Sequence, residues 1–391
     1  MLKTFIIVLI IIIVWLLRYK IIYTIDYLIH RDSYTFKEEG QFKDNDFKIT
    51  NNVLLDYLNY MRNEKIKDMP LVDAVPLVEV KIEDLNPDHL YEISKGFTKP
   101  FVVRGLIKDF DCVKKWNLEY FKKEYGNIEV LSFNDENSIG YSRDTSAKLK
   151  KCNKDNNLCT ISQICDGIYK KEPLYINNIS KLFTINEQAR NELNLDKMNE
   201  IVNKCFLKEE NAHKDVFISQ LFLGGKNTGT SVHCAFNTNL FFNIKGEKHW
   251  ILIDPMYTDL INCQSSNNGL FAVSTDDVFS ESDTNPFLRI PRNEVILKSG
   301  DFLFNPTWYW HAVKNKTDYT IGVANRYDLT VFPSITNNIF FTFLQLFSPF
   351  YYIQNSHIYF SSTSGQEKYG ILADKEIINN LTQDKSIKNN Y

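Results

Sequence analysis

Four positions outline a site: His233, Ala235, Lys248 and His311. His233 stands in Thr230-Ser231-Val232-His233-Cys234-Ala235, and His311 closes Trp308-Tyr309-Trp310-His311, shortly after Gly300-Asp301-Phe302-Leu303-Phe304-Asn305-Pro306. Successive strand side chains point to opposite faces, so His233 shares a face with residue 235 while Cys234 turns away. A His-x-acid pair on one strand, with a distant histidine on a facing strand, makes a two-histidine, one-carboxylate triad. That geometry suits non-haem Fe(II) and leaves positions open for substrate and oxygen. His233 and His311 fit the histidine roles. The acid position is Ala235, which cannot bind metal. Read singly, each histidine also suits a structural role.

Lys248 lies in Ile244-Lys245-Gly246-Glu247-Lys248-His249-Trp250-Ile251-Leu252-Ile253-Asp254-Pro255. A lysine buried in a barrel needs an anionic partner. A dicarboxylate would provide one, and the Thr230 hydroxyl could add to it. The alternative is an exposed strand lysine in a charged run with Lys245, Glu247 and His249.

These residues need strands to position them. From residue 216 onward the sequence predicts strands at 216–223, 231–235, 239–245, 249–253, 294–297, 302–305, 311–314 and 319–325. Many short strands with polar turns make a barrel or jelly roll. Upstream, Pro100-Phe101-Val102-Val103-Arg104-Gly105 reads as a strand ending in a turn glycine. Asn117 is a candidate helix N-cap. Residues 160–170 and 185–206 read as helices, with Leu174-Tyr175-Ile176 as a strand between them. The fold class is therefore mainly β with flanking helices. The folded domain is placed at 78–330. The polar insertion 257–292 is a candidate lid or substrate loop.

The chain has 391 residues, 44% of them hydrophobic, with 28 Phe and 21 Tyr, enough for a large core. A net charge of −3 gives no support for nucleic-acid binding. Seven cysteines without a C-x-x-C pair argue against a cysteine-rich zinc site and favour reduced thiols. Residues 1–23 carry an apolar run from Phe5 to Leu17 followed by Arg18 and Lys20. Thirteen helical residues span about 20 Å against roughly 30 Å of hydrocarbon. With basic side chains snorkelling, a hydrophobic N-terminal helix from about Leu2 to Tyr23 could cross. A single-pass membrane anchor is the expectation, a signal peptide its rival. The charges flanking it leave the side of the membrane unresolved, with a slight lean to a cytosolic body. Residues 24–77 read as a polar spacer with a short helix. Residues 331–360 form an aromatic helical segment, in which 331–352 would serve helical packing or a homodimer contact, and 361–391 form a polar tail.

The motifs together resemble a known family. Lys99-Pro100-Phe101-Val102-Val103-Arg104-Gly105-Leu106, then His233 with Asn239, then Ile244-Lys245-Gly246, Lys248 and Trp250-Ile251-Leu252, then Gly300-Asp301 through Pro306, Trp310-His311 and Asn325, are similar in order and spacing to the JmjC-related, cupin-like 2-oxoglutarate oxygenases. The similarity is to the group containing the asparaginyl hydroxylase of hypoxia-inducible factor. The resemblance implies a double-stranded β-helix and an Fe(II)- and 2-oxoglutarate-dependent dioxygenase. His233 and His311 match its iron ligands. Lys248 and Thr230 match the residues that hold the distal carboxylate of 2-oxoglutarate, Asn239 and Asn325 match polar residues beside the cosubstrate, and Tyr175 matches a tyrosine that touches it. The substrate it implies is an unspecified protein or small molecule. Ala235 departs from the family, which carries aspartate there. Three outcomes stay open: an Fe(II) enzyme with another group in that position, a non-catalytic binding or scaffold protein, and halogenase-like chemistry in which halide takes the vacant position.

Overall fold

Alternation of apolar and polar residues, broken by Gly and Asn turns, dictates the run of strands after residue 217. The computed structural model describes residues 6–8, 62, 65–131, 133–134, 158–206, 218–235, 238–261, 263–265, 271–274, 276–280, 282 and 285–327. In chain order the early strands are β1 (Val75–Pro76), β2 (Glu79–Val80), β3 (Phe101–Val103), β4 (Glu129–Leu131), β5 (Phe133–Asn134), β6 (Leu158–Thr160) and β7 (Leu174–Ile179). There follow β8 (Ile218–Gly225), β9 (Gly229–Ala235), β10 (Thr238–Lys245), β11 (Lys248–Ile253), β12 (Cys263–Ser265) and β13 (Phe271–Ser274). The last are β14 (Arg292–Leu297), β15 (Asp301–Asn305), β16 (Trp310–Asn315) and β17 (Tyr319–Tyr327).

One sheet runs β1-β14-β11-β16-β9-β13-β12 and the other β2-β3-β15-β10-β17-β8-β7-β5. They pack face to face. The core between them joins Trp250, Leu252 and Val313 of the first sheet to Tyr175, Phe222, Phe241, Leu303 and Ala324 of the second. The Phe241 and Trp250 rings meet edge to face at 4.9 Å. The outer face of the second sheet (Leu240, Phe242, Phe302, Val323) packs on helices at Asp111–Lys115, Leu118–Glu124, Ile161–Tyr169 and Leu195–Phe206. This mainly β arrangement with flanking helices is consistent with the expected jelly roll.

Local chemistry explains the helix starts. Asn117 accepts from Tyr120 N, and Thr160 forms a capping box with Gln163. Gly246 turns β10 into β11 at φ +72°, where a Cβ would lie 2.3 Å from Tyr319 O.

Two features depart from the alternating pattern. The stretch 257–292 is not simply a loop: β12 and β13 fold back so that β13 pairs with β9, with Val273 opposite His233. Strands of three and four residues leave too short a period to read. In β9, Thr230 pairs with Val313 while His233 pairs with His311, so Ser231 and Val232 together oppose the single residue Ala312. This β-bulge, at Ser231–Val232, puts Thr230 and His233 on the same interior face although simple alternation separates them.

Of the 1–23 segment only residues 6–8 are described, as helix. No helix among the described residues is long and apolar enough to cross a membrane. The spacer helix near residues 53–62 lies almost wholly outside the described residues, and the 331–360 segment and the 361–391 tail lie entirely outside them.

Candidate active site between the sheets

The interior face of the first sheet carries the two histidines side by side. His233 and His311 are direct cross-strand partners, with ring centroids 4.1 Å apart. Each Nδ1 lies 2.8 Å from a carbonyl oxygen two residues back, Ser231 for His233 and Tyr309 for His311. With the proton on Nδ1 donated there, Nε2 keeps its lone pair, which is the form and orientation a metal ligand needs. Burial holds both rings neutral. It depresses His233 to about 4, helped by the Arg326 charge, and depresses His311 well below its ordinary range, helped by His233. Trp250 stacks on His311 at 5.4 Å and 14°.

Further along the same interior, Lys248 is 1% exposed. Its Nζ donates to Asn315 Oδ1 at 2.7 Å and sits 5.9 Å from the Tyr175 ring centroid. Among the described residues no carboxylate lies in ion-pair range of it, and burial pulls its pKa down to about 7. The Tyr175 hydroxyl lies 3.2 Å from Thr230 Oγ1. Thus Lys248, Tyr175 and Thr230 line one part of the interior and the histidines the next. His311 and Asn315, at opposite ends of that stretch of β16, are about 13 Å apart at ~3.3 Å per residue. Gly322 lets Phe241 and Lys248 pack closely over β17: a Cβ there would meet Phe241 Cζ at 2.4 Å and Lys248 Cε at 3.1 Å.

The facing sheet supplies Asn239 and Asn305, cross-strand partners on one face. Asn305 Nδ2 lies 3.1 Å from His311 Nδ1. Asn239 Oδ1, Asn305 Oδ1 and Trp250 Nε1 are buried with no hydrogen-bond partner among the described residues. Orphaned polar atoms inside a core are costly, and a bound polar molecule would complete them.

Asn325 does not join this group. It pairs with Leu240 on the outer face, where Oδ1 accepts from Ser219 Oγ at 2.7 Å and Nδ2 donates to Leu240 O at 3.2 Å. Its neighbour Arg326 pairs with Asn239 and faces inward. Sequence reasoning missed Arg326, Asn305 and Asn315. Strand parity counted forward from Ala324 would have pointed to Arg326. Asn315 heads an Asn-Lys-Thr sequon, but it is buried, with Nδ2 donating to Thr228 Oγ1 and Oδ1 accepting from Lys248.

The donor set fits two ligands of a metal centre and an anion site. Ala235 follows His233 on the same strand and contributes no ligand atom from its side chain. Cys234 is buried on the opposite face among Val232, Ile251 and Ala312. Among the described residues no group of three His, Cys, Asp or Glu forms.

Comparison with known proteins agrees with this arrangement. The chain is 26% identical over 229 residues to "tRNA wybutosine-synthesizing protein 4" of Gibberella zeae, covering 58% of this chain and 21% of that protein. It is 25% identical over 222 residues to "JmjC domain-containing protein D" of Dictyostelium discoideum, covering 55% of this chain and 49% of that protein. The chain thus spans about a fifth and about half of these relatives. The cupin-like domain profile matches residues 95–330. With a histidine pair and a buried lysine between two facing sheets, and with more than half its length matched, the chain belongs to the cupin-like domain family.

Proposed function

We propose that this chain is an oxygenase-type cupin-like protein that takes Fe(II) on His233 and His311 and 2-oxoglutarate between them and Lys248. One observation carries the reading: the paired histidines and an uncompensated buried lysine share a single interior. Iron and the oxo acid, when bound, would supply oxygen activation for attack on a C–H bond. The chain's residues do the rest. His233 and His311 present neutral Nε2 atoms, fixed by the carbonyls of Ser231 and Tyr309. Lys248, oriented by Asn315, neutralises the distal carboxylate, and Thr230 and Tyr175 add hydroxyls. Trp250 and Phe241 wall the site and keep water from it. Asn239 offers a buried amide beside the cosubstrate. The resemblance to the asparaginyl hydroxylase group supports this assignment, and Ala235 is where the chain departs from it.

The alanine favours a second reading, a cupin-like binding or scaffold protein that keeps the dicarboxylate pocket without turnover. Anaerobic titration of the full chain with Fe(II) and 2-oxoglutarate, wild type against Ala235→Asp, separates the two. Succinate release is then measured with and without chloride. Wild-type turnover removes the scaffold reading, and a chloride requirement assigns the position beside Ala235 to halide. Absence of 2-oxoglutarate binding in both proteins would overturn the proposal. In the same reading, residues 1–23 tether the domain to a membrane, and deleting them should release it into the soluble fraction.

A further inference from the structure

The stretch before β1 is tied to the 257–292 insertion by several contacts. Ile66 and Met69 pack on the apolar cluster behind β9, which contains Val232, Cys234 and Ala272. Lys65 pairs with Asp259, and Arg289 donates to Met69 O. Val72 N donates to Leu288 O at 2.9 Å, and Arg292 Nη1 donates to Val72 O at 2.9 Å. Arg62 differs from these in reaching two points at once. It is 9% exposed; its Nε donates to Leu260 O at 3.1 Å and its Nη2 pairs with Asp276. Leu260 stands just before β12 (Cys263–Ser265) and Asp276 just after β13 (Phe271–Ser274). One side chain therefore closes the stem of the β12–β13 hairpin. That hairpin supplies the second neighbour of β9: β16 flanks it on one side and β13 on the other, with Val273 opposite His233 and Phe271 opposite Ala235. Without β13, β9 would be an edge strand with a row of unpaired backbone groups.

We infer that Arg62 is a positioning residue for His233. It holds the hairpin stem shut, the hairpin pins the backbone of β9, and that backbone aims the imidazole. A charge-assisted pair on a nearly buried guanidinium is a strong contact, and removing one partner leaves the other unsatisfied. The strand needs this support because Ala235 gives it no carboxylate through which a metal could hold a second point. Arg62 also precedes the matched cupin-like residues, so the working unit begins before residue 95. The consequence for metal binding rests on the function proposed above; the order of β9 does not.

The test compares the full-length wild type with Arg62→Met, Arg62→Lys and Lys65→Met. Amide hydrogen exchange is followed by mass spectrometry, and Co(II) is titrated anaerobically and read by its d–d absorption, with His233→Asn as the blank. Arg62→Met should speed exchange about tenfold in peptides covering 229–235 and 271–274, weaken Co(II) by a similar factor, and leave β10 and β15 of the second sheet at wild-type rates. Arg62→Lys keeps a charge for Asp276 and loses the donor to Leu260 O, so it should fall between; if Arg62→Met does not fold, Arg62→Lys carries the same comparison. Lys65→Met removes an exposed ion pair and should match wild type. Exchange raised equally in both sheets marks a merely structural residue and overturns the inference, as does wild-type exchange at 229–235. Faster exchange there with unchanged Co(II) affinity overturns it too, since the histidine is then aimed by other contacts. If the wild type takes up no Co(II), the metal reading fails, and exchange at 229–235 alone decides whether Arg62 orders the strand.

Discussion

Binding of a dicarboxylate at Lys248 should draw a proton from solution, and the size of that uptake follows from burial. In the free protein the Lys248 ammonium is pulled down to about 7 because it is buried without an opposing charge. At pH 8 it is about nine-tenths neutral, and a bound carboxylate restores its ordinary basicity, so about 0.9 proton is taken up per molecule bound. Above pH 7 the affinity should fall about tenfold per pH unit, since the amine must first be protonated. Both imidazoles are already neutral at pH 8 and contribute nothing. Stability shows the same effect with a defined sign. The folded-state value lies below the unfolded value of 10.5, so between about 7 and 10.5 the unfolded chain binds more protons. Stability of the ligand-free protein therefore rises with pH across that window, by up to about 5 kcal/mol. Calorimetry at pH 8 in two buffers of different ionisation enthalpy measures the uptake, and urea unfolding from pH 7 to 10 measures the slope. Lys248→Met should abolish both. No proton uptake in the wild type, or equal uptake in Lys248→Met, refutes the reasoning.

Other outcomes follow from single contacts. Gly322→Ala places a methyl against Phe241 and Lys248, and should cost about 1–3 kcal/mol by urea denaturation while weakening 2-oxoglutarate binding. His233 sits near 4 in the folded chain against 6.5 unfolded. Metal-free protein should therefore lose stability as pH falls from 6.5 to 4, by about 3 kcal/mol at most, and His233→Asn should flatten that slope. Buried Glu192 accepts from Trp116 Nε1 at 2.6 Å, Tyr125 OH at 2.7 Å, and Tyr120 OH. Glu192→Ala leaves those donors unsatisfied beside the second sheet and should lower stability by about 2–4 kcal/mol, with 2-oxoglutarate affinity unchanged in the folded fraction.

Much of this was legible in the sequence because it depends on short-range rules. Strands β9, β10, β11, β15, β16 and β17 announce themselves through alternation and turn glycines, and Asn117 and Thr160 cap the helices that follow them. The inward positions of Lys248 and Tyr175 were approached through resemblance, since a charged run such as Lys245-Gly246-Glu247-Lys248-His249 is also what an exposed strand shows. What escaped depends on register. Thr230 reaches the histidine face only through the bulge, a feature set by cross-strand pairing with Val313 and His311. Asn325 and Arg326 differ by one residue, and only pairing with Leu240 and Asn239 decides which of them enters the interior. Asn315 carries a surface-like sequon yet lies at the bottom of the site.

The bulge also sets where the chain tolerates a change of length. A strand keeps its side chains in two alternating frames, and the extra residue at Ser231–Val232 resets the frame between Thr230 and His233. Removing either Ser231 or Val232 would restore a regular ladder with both residues still inward. Removing one residue between His233 and Ala235 would instead swap the frame beyond the histidine, exposing to the interior what now packs outside. The strand that holds the site therefore has one length-neutral point, and it lies between Thr230, which reaches the Tyr175 hydroxyl, and His233, which pairs with His311.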